Sequence, residues 1–210
     1  MCGFVGFIAR DRSRPEEELR AKVDKMSATL RHRGPDESDV WADAEAGVAL
    51  GHRRLSIIDL SPAGRQPMIS PDGRLVLALN GEIYNYGDLR RELGSPEGGW
   101  RGVSDTEVAL AAFARWGAEG ALGRFNGMFA LALWDRRERT LFLARDRMGE
   151  KPLYYGWQGG TFLFGSELKA LRAYPGWEGE IDRGALALLL RHGYLPAPYS
   201  IYRGVRKLSA

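Results

Sequence analysis

Short apolar runs separated by turn residues recur along the chain and predict β-strands. The run at 2–9 (CGFVGFIA) predicts a buried strand that anchors the N-terminus. Further strand-like runs lie at 47–50, 55–58, 75–79, 128–134, 140–144, 153–157 and 161–164. The last four of these form two pairs, each joined by a short polar turn, and so predict antiparallel hairpins. Because several runs are apolar on both faces, we expect sheets that are covered on both sides.

Helical periodicity occupies segments between these runs. The predicted helices cover 15–31, 104–116, 167–172 and 182–191. In the first, apolar residues recur at steps of four, three and four positions. In the second, Ser104 is the predicted N-cap and Glu107 occupies the capping-box position. Strands and helices together predict an α+β fold, in which stacked antiparallel sheets are flanked by helices.

Composition limits the class of protein. The chain has 210 residues, of which 44% are hydrophobic and 27% charged, as in one ordinary domain or at most two small ones. Thirty Lys and Arg against 27 Asp and Glu leave a net charge of +3, and the basic residues are dispersed, so we expect no nucleic-acid binding. No apolar stretch approaches the ~18 residues of a membrane span, and Arg10–Arg12 interrupts the first run. We therefore expect no membrane association and a cytoplasmic location.

The single cysteine lies directly after the initiator methionine, at Cys2. One cysteine excludes an intramolecular disulfide, and the three histidines show no ligand spacing, so we expect no metal site. Removal of Met1 would leave Cys2 with a thiol and a free α-amine. An amine with a pKa of about 8 can take the proton of a thiol with a pKa of about 8.5. The alternative is a buried structural thiol.

Other polar residues admit two interpretations each. Asn80 and Gly81 follow a strand and could supply an amide and a backbone N–H to an oxyanion, but Asn-Gly is also a common hairpin turn. Arg54 and Asp105 have the charges that would hold the carboxylate and the ammonium group of an amino acid. Each could equally belong to a surface ion pair or to the start of a helix.

Nine blocks extend over nearly the whole chain. They are MCGFVGF (1–7), RHRGPD (31–36), HRRLSIID (52–59), QPM (66–68), NGEIYN (80–85), SDTE (104–107), GMFALALWD (127–135), RDRMGEKPLYY (145–155) and SELKAL (166–171). In this order they closely resemble the glutaminase domain of glutamine-hydrolysing asparagine synthetases. Other class II amidotransferases typically carry an arginine motif with an aromatic residue in place of RRLSIID, which favours the asparagine synthetase branch.

The resemblance implies a fold and a mechanism. The family belongs to the N-terminal nucleophile hydrolases, with a four-layer α/β/β/α sandwich. It implies that Cys2 attacks the side-chain amide of glutamine with its own amine as general base. Asn80 and Gly81 resemble the oxyanion hole, Arg54 the residue that binds the glutamine carboxylate, and Glu82 with Asp105 the partners of the α-ammonium group. The implied pocket wall is Leu55, Ser56, Ile57 and Ile58.

The resemblance also implies partners outside these residues. The family's second domain binds ATP through an SGGxDS loop and adenylates an acid, commonly aspartate; this loop does not occur here. We expect residues 1–181 to form the glutaminase domain and 182–210 to connect it to an absent synthetase domain. The glutaminase step needs no cofactor, and ATP and Mg are expected only in that second domain. The acceptor and homodimer formation stay open.

Two further functions stay open beside glutamine hydrolysis. The fold could serve as a non-catalytic scaffold that docks the synthetase domain. It could also be a free-standing hydrolase of other γ-glutamyl amides. For His32 we favour packing within its loop, since a lone histidine without a visible partner is more often structural. Lys151 and Tyr154–Tyr155 are expected to serve the fold or a domain interface.

Overall fold

Two antiparallel sheets form the centre of the computed structural model, which describes residues 1–96 and 98–210. The strands are β1 (Gly3–Ile8), β2 (Glu37–Asp43), β3 (Val48–Arg54), β4 (Met68–Ile69), β5 (Leu75–Ile83), β6 (Gly127–Asp135), β7 (Thr140–Arg145), β8 (Tyr154–Gln158), β9 (Thr161–Gly165) and β10 (Val205–Lys207). The first sheet has the order β10-β8-β9-β1-β3-β2, and the second has the order β4-β5-β6-β7.

Helices cover the outer face of each sheet. They are α1 (Glu16–Ala28), α2 (Tyr86–Leu93), α3 (Asp105–Arg124), α4 (Leu168–Arg172) and α5 (Arg183–His192). Helices α1 and α4 pack on the first sheet, and α3 packs on the second. Within the described part of the chain, no helix has the length and apolar character that a transmembrane span requires.

Strand alternation divides the apolar residues among three cores. In β1, Phe4 lies in the core between the two sheets, whereas Val5 and Phe7 face α1 and α4. In β5, Val76 lies in the core between the sheets, and Leu77 lies in the core beneath α3. The layers therefore run helix, sheet, sheet, helix. This arrangement confirms the predicted α+β fold and the four-layer sandwich.

Two local predictions near the site are wrong. The run 55–58 is not a strand, because β3 ends at Arg54. The N–H groups of Leu55 and Ser56 bond to the Cys2 thiol and the Asp36 carboxylate instead of a neighbouring strand. The dipeptide Asn80–Gly81 is not a hairpin turn, because β5 continues through it and pairs with β6 as far as Ile83.

The C-terminal segment also contributes to the sheet. Val205 to Lys207 form β10, which pairs with β8 in the register Val205↔Gly156. The chain after residue 181 is therefore part of the six-stranded sheet, and no break in the sheet coincides with the expected domain boundary. Strands β2 and β10 and helix α2 were not among the elements predicted from the sequence.

Candidate active site

A small cavity of about 70 Å³ brings together distant parts of the chain. Its lining includes Cys2 before β1, Arg54 at the end of β3, Asn80 and Gly81 in β5, and Asp105 at the start of α3. The other predicted residues that line it are Leu55, Ile57, Ile58 and Glu82. The fold thus places a thiol, an amide, a guanidinium and carboxylates around one space.

Cys2 is held on both sides of its backbone. The Nε of Arg33 donates to the Cys2 carbonyl at 2.8 Å, and Arg33 Nη1 pairs with Glu167 at 2.8 Å. The Cys2 sulfur accepts from the Leu55 N–H at 3.4 Å. Burial raises the pKa of the Cys2 thiol, although the Leu55 N–H and the charge of Arg54 act in the opposite direction. The protonated thiol therefore needs a base to become a nucleophile.

One edge of β5 presents backbone N–H groups to the cavity. The N–H of Leu79 donates to Gln66 Oε1 at 2.6 Å, and the N–H of Ile83 donates to Asp105 Oδ2 at 2.9 Å. Since backbone groups alternate along a strand, the N–H of Gly81 is directed to this same edge. Side chains thus bind the N–H groups on either side of Gly81, whose own residue lines the cavity.

Asn80 contributes a buried amide beside Gly81. Its side chain is completely buried, and within residues 1–96 and 98–210 neither amide atom has a hydrogen-bond partner. An unpaired buried amide costs about 1–3 kcal/mol, so a partner in the cavity would offset a real penalty. Gly81 has φ +149°, and a Cβ there would lie 2.0 Å from the Met128 carbonyl oxygen. Only glycine fits this position without displacing β6.

Asp105 and Glu82 form an acidic side of the cavity. Ser104 caps α3 as predicted, accepting the Glu107 N–H at 3.2 Å, and this places Asp105 in the first turn of the helix. Burial raises the pKa of Asp105, and the charge of Glu82 adds to the rise. A cation between the two carboxylates would relieve both effects.

Arg54 already has protein partners. Its Nη1 donates to Glu37 at 2.6 Å and to the Ser61 carbonyl at 3.1 Å, and its Nη2 donates to the Asp59 carbonyl. Gly64 packs directly against the guanidinium group. A carboxylate ligand at Arg54 must therefore use its Nε or replace one of these partners. The sequence did not predict this arrangement.

Comparison with known proteins assigns the chain to a family. The family model described as "Glutamine amidotransferase domain" matches residues 1–210. The chain belongs to this family.

Similar proteins of known name support the assignment. This amidotransferase domain is 38% identical to asparagine synthetase 3 (glutamine-hydrolyzing) of Bacillus subtilis, with 99% of the chain and 33% of the relative covered. It is 36% identical to a putative asparagine synthetase 2 of Methanocaldococcus jannaschii, with 100% of the chain and 43% of that protein covered. A putative asparagine synthetase of Mycobacterium tuberculosis H37Rv is 41% identical, with 100% and 34% covered. The chain therefore spans less than half the length of these relatives.

A solved structure shares the fold. The glutamine phosphoribosylpyrophosphate amidotransferase of Bacillus subtilis, complexed with ADP and GMP, superposes with a TM-score of 0.67 at 22% identity. The match covers 86% of the amidotransferase domain and 45% of that chain. At this identity the likeness shows the architecture alone.

Some residues of the amidotransferase domain are placed differently from expectation. Ser56 does not line the cavity, because its N–H is turned toward Asp36 at 2.8 Å. His32 lies outside the cavity as well, with its Nε2 3.0 Å from Glu167 and its side chain half exposed. Lys151 was expected to serve the fold or an interface, yet it is buried on the cavity wall.

Three further lining residues were missed by the sequence analysis, namely Gln66, Thr106 and Met128. Each lies within or directly beside one of the nine blocks, but no local chemistry distinguished it there. Gln66 and Thr106 are connected by a hydrogen bond of 3.2 Å across 40 residues of sequence. The described residues contain no group of three or more His, Cys, Asp and Glu side chains arranged to hold a metal ion.

Proposed function

We propose that the chain hydrolyses the side-chain amide of L-glutamine to glutamate and ammonia through a thioester on Cys2. The observation that carries this proposal is the buried, unpartnered amide of Asn80 on the wall of the cavity that holds the Cys2 thiol. Such an amide, next to the strand-edge N–H of Gly81, suits an oxyanion that forms only during the reaction. Family membership supports the same activity.

The α-amine of Cys2 acts as the general base in this proposal. No histidine is among the described lining residues, and the Nε2 of buried His52 bonds instead to the Leu79 carbonyl at 3.0 Å. Burial lowers the pKa of His52 to about 4, so it stays neutral. Met1 lies over the site, its Sδ 3.4 Å from Lys151 Nζ. Its removal exposes the amine that the mechanism needs.

The reaction proceeds in two halves. In the first, the Cys2 thiol gives its proton to the α-amine, and Sγ bonds to the amide carbon. Asn80 Nδ2 and the Gly81 N–H donate to the resulting oxyanion. The carbon–nitrogen bond then breaks, and the α-ammonium group returns its proton to the departing nitrogen, which leaves as ammonia. In the second half, water gives a proton to the amine and its oxygen bonds to the carbonyl carbon. The carbon–sulfur bond breaks, the thiol regains its proton, and glutamate is released.

The same cavity orients the amino-acid end of the substrate. Arg54 binds the α-carboxylate, exchanging a bond to Glu37 or using its Nε. Glu82 and Asp105 bind the α-ammonium group, which neutralises their mutual repulsion. Leu55, Ile57 and Ile58 form the apolar wall along the substrate's methylene groups.

Glutamate release by the 210-residue chain tests the proposal, after intact mass has established the loss of Met1. The matched control is Cys2→Ala, which keeps the fold and removes the sulfur. We expect release by the parent chain and none by the variant. A chain that retains Met1 should be inactive, because its Cys2 nitrogen is an amide. Equal release by parent and variant would overturn the mechanism.

A substrate panel separates glutamine hydrolysis from a broader activity. We expect glutamine to be hydrolysed much faster than other γ-glutamyl amides. Comparable rates across the panel would support the free-standing hydrolase. No release by the processed chain, even with a synthetase domain added, would leave the docking scaffold.

We further propose that the ammonia serves an ATP-dependent synthetase-type domain that makes asparagine or a related amide, in the cytoplasm. The names and greater length of the relatives support this. In this proposal ATP and Mg bind the other domain, and the glutaminase step uses neither. Adding a synthetase domain with ATP, Mg and aspartate should yield asparagine at the expense of glutamine. Formation of homodimers stays a prediction for mass measurement in solution.

A further inference from the structure

Side chains complete the hydrogen bonding of β5 where its neighbouring strand has ended. Strand β4 pairs Met68 with Leu77, and no strand lies opposite Leu79 on that edge. Instead, the Leu79 N–H donates to Gln66 Oε1 at 2.6 Å. The Leu79 carbonyl accepts from His52 Nε2 at 3.0 Å; since a carbonyl only accepts, Nε2 carries the proton. The peptide immediately before Asn80 is therefore held from both directions.

Gln66 extends this contact to the start of α3. Its Nε2 donates to the Thr106 hydroxyl at 3.2 Å, and Thr106 follows Asp105 in the first turn of the helix. Gln66 is buried, with 5% of its surface exposed. Both ends of its amide are bonded to protein atoms, although the residue lines the cavity. Its chemistry is therefore that of a brace between two elements.

The two elements that it joins carry different parts of the proposed site. Strand β5 carries the oxyanion donors Asn80 and Gly81, whereas α3 carries Asp105. Asp105 itself bonds to the Ile83 N–H, which closes a second connection between the same elements. The Gln66 and Asp105 side chains thus hold the strand on both sides of Gly81.

We propose that Gln66 is a positioning residue that sets the distance between the oxyanion donors and the carboxylate that binds the substrate's ammonium group. This inference rests on the proposed glutamine hydrolysis. Without Gln66, the Leu79 N–H loses its acceptor and β5 can shift beside Asn80. A displacement of about 1 Å in a catalytic array can cost on the order of a hundredfold in rate.

Steady-state kinetics of Gln66→Met against Gln158→Met test the role. Gln158 is the matched control, because it too is buried and bonds through both amide ends, to the Arg203 carbonyl and the Glu178 N–H. It lies in β8 of the other sheet and does not line the cavity. We expect Gln66→Met to lower kcat by about tenfold or more, with KM changed by less than about threefold, because the oxyanion contact forms in the transition state. Gln158→Met should keep the parent kcat. Equal kcat values for the two variants would overturn the positioning role.

A second pair of variants tests the brace even where Gln66→Met fails to fold. Thr106→Val removes the hydroxyl that Gln66 bonds while keeping the side chain's shape, and Thr106→Ser keeps the hydroxyl. We expect kcat/KM to fall by about fivefold or more in the valine variant and to recover in the serine variant. Equal kcat/KM in the two would overturn the inference.

The parent chain and Cys2→Ala are assayed in the same series. A processed parent with no Cys2-dependent release overturns the proposed function and this inference together. A parent that depends on Cys2, combined with a fully active Gln66→Met, overturns the positioning role alone.

Discussion

The backbone N–H of Leu55 donates to the Cys2 sulfur at 3.4 Å, although the residues are 53 positions apart. The same thiol lies 3.6 Å from the Leu55 carbonyl oxygen, to which it donates. The chain leaves β3 at Arg54 and turns its next peptide groups toward the N-terminus. The nucleophile's orientation therefore depends on the loop after β3, and the strands of the first sheet bring the two together through the register Gly3↔Arg53.

Replacing Asn80 should separate activity from stability. Asn80→Ala removes an amide that has no partner in the described structure, so the free energy of unfolding should change by less than about 1 kcal/mol. If the amide stabilises the oxyanion, kcat should fall about 10²–10³-fold. Glutamate release and urea-induced unfolding provide the two measurements.

Asn85→Ala is the matched control for that variant. The Asn85 side chain donates to the Arg124 carbonyl at 2.9 Å and accepts the Asn126 N–H at 2.9 Å, away from the cavity. It should lose about 1 kcal/mol of stability and keep kcat. A normal kcat in Asn80→Ala would exclude its role as an oxyanion donor.

A side chain at Gly81 should disrupt the pairing of β5 with β6. In Gly81→Ala the new Cβ would lie 2.0 Å from the Met128 oxygen and 2.6 Å from the Phe129 Cα. Backbone has to move, so we expect a loss of about 3 kcal/mol or more. Gly94→Ala is the control, because Gly94 also has positive φ (+69°) but no atom within 4 Å of an added Cβ. It should lose about 1 kcal/mol from conformational strain alone. Equal losses in urea denaturation would contradict the steric argument.

Asp105→Asn should weaken substrate binding. Asparagine keeps an oxygen for the Ile83 N–H but loses the charge for the ammonium group, so KM for glutamine should rise about tenfold or more with kcat changed far less. Because burial raises the pKa of Asp105, the parent's KM should rise as pH falls through that raised pKa. The variant should lack this pH dependence.

The control for this substitution is Asp88→Asn, whose carboxylate is exposed on α2 beside Arg91. Its KM should equal that of the parent at every pH. An unchanged KM in Asp105→Asn would show that the ammonium group is bound elsewhere.

His52 should make the fold sensitive to mild acid. Its pKa is lowered from 6.5 to about 4 by burial, with Arg54 adding to the decrease and both the bond to Leu79 and the charge of Glu37 opposing it. The unfolded chain therefore takes up the proton first as pH falls. This contribution to stability is complete above about pH 6.5 and is lost progressively toward pH 4, where the loss is on the order of 3 kcal/mol.

Urea denaturation between pH 7 and pH 4 measures this effect. His52→Gln keeps a donor for the Leu79 carbonyl but does not titrate, so the parent should lose about 3 kcal/mol more than this variant over that range. Carboxylates with lowered pKa values, such as Asp59 and Asp135, occur in both chains and cancel in the comparison. His192→Gln, at an exposed position, should follow the parent. Parallel curves for parent and His52→Gln would contradict the burial argument.

Local signals in the sequence were enough to predict the layers. Runs apolar on both faces correctly indicated sheets covered on both sides, and Ser104 correctly indicated the start of α3. These features depend on side-chain alternation and on a capping bond within four residues. The chemical character of Cys2 and Asn80 was also readable, because a thiol and an amide have few other uses at such positions.

The sequence by itself thus determined the fold class and most of the chemistry, whereas the tertiary structure decided which groups meet. Asn-Gly has the same local preference in a turn as in β5, and only pairing with β6 made it a strand with a free edge. Gln66 carries no local signal, because its role depends on Leu79 and Thr106, 13 and 40 residues away. Buried polar groups take whichever partner the packed layers bring within about 3 Å, and that choice is made only when the sheets and helices assemble.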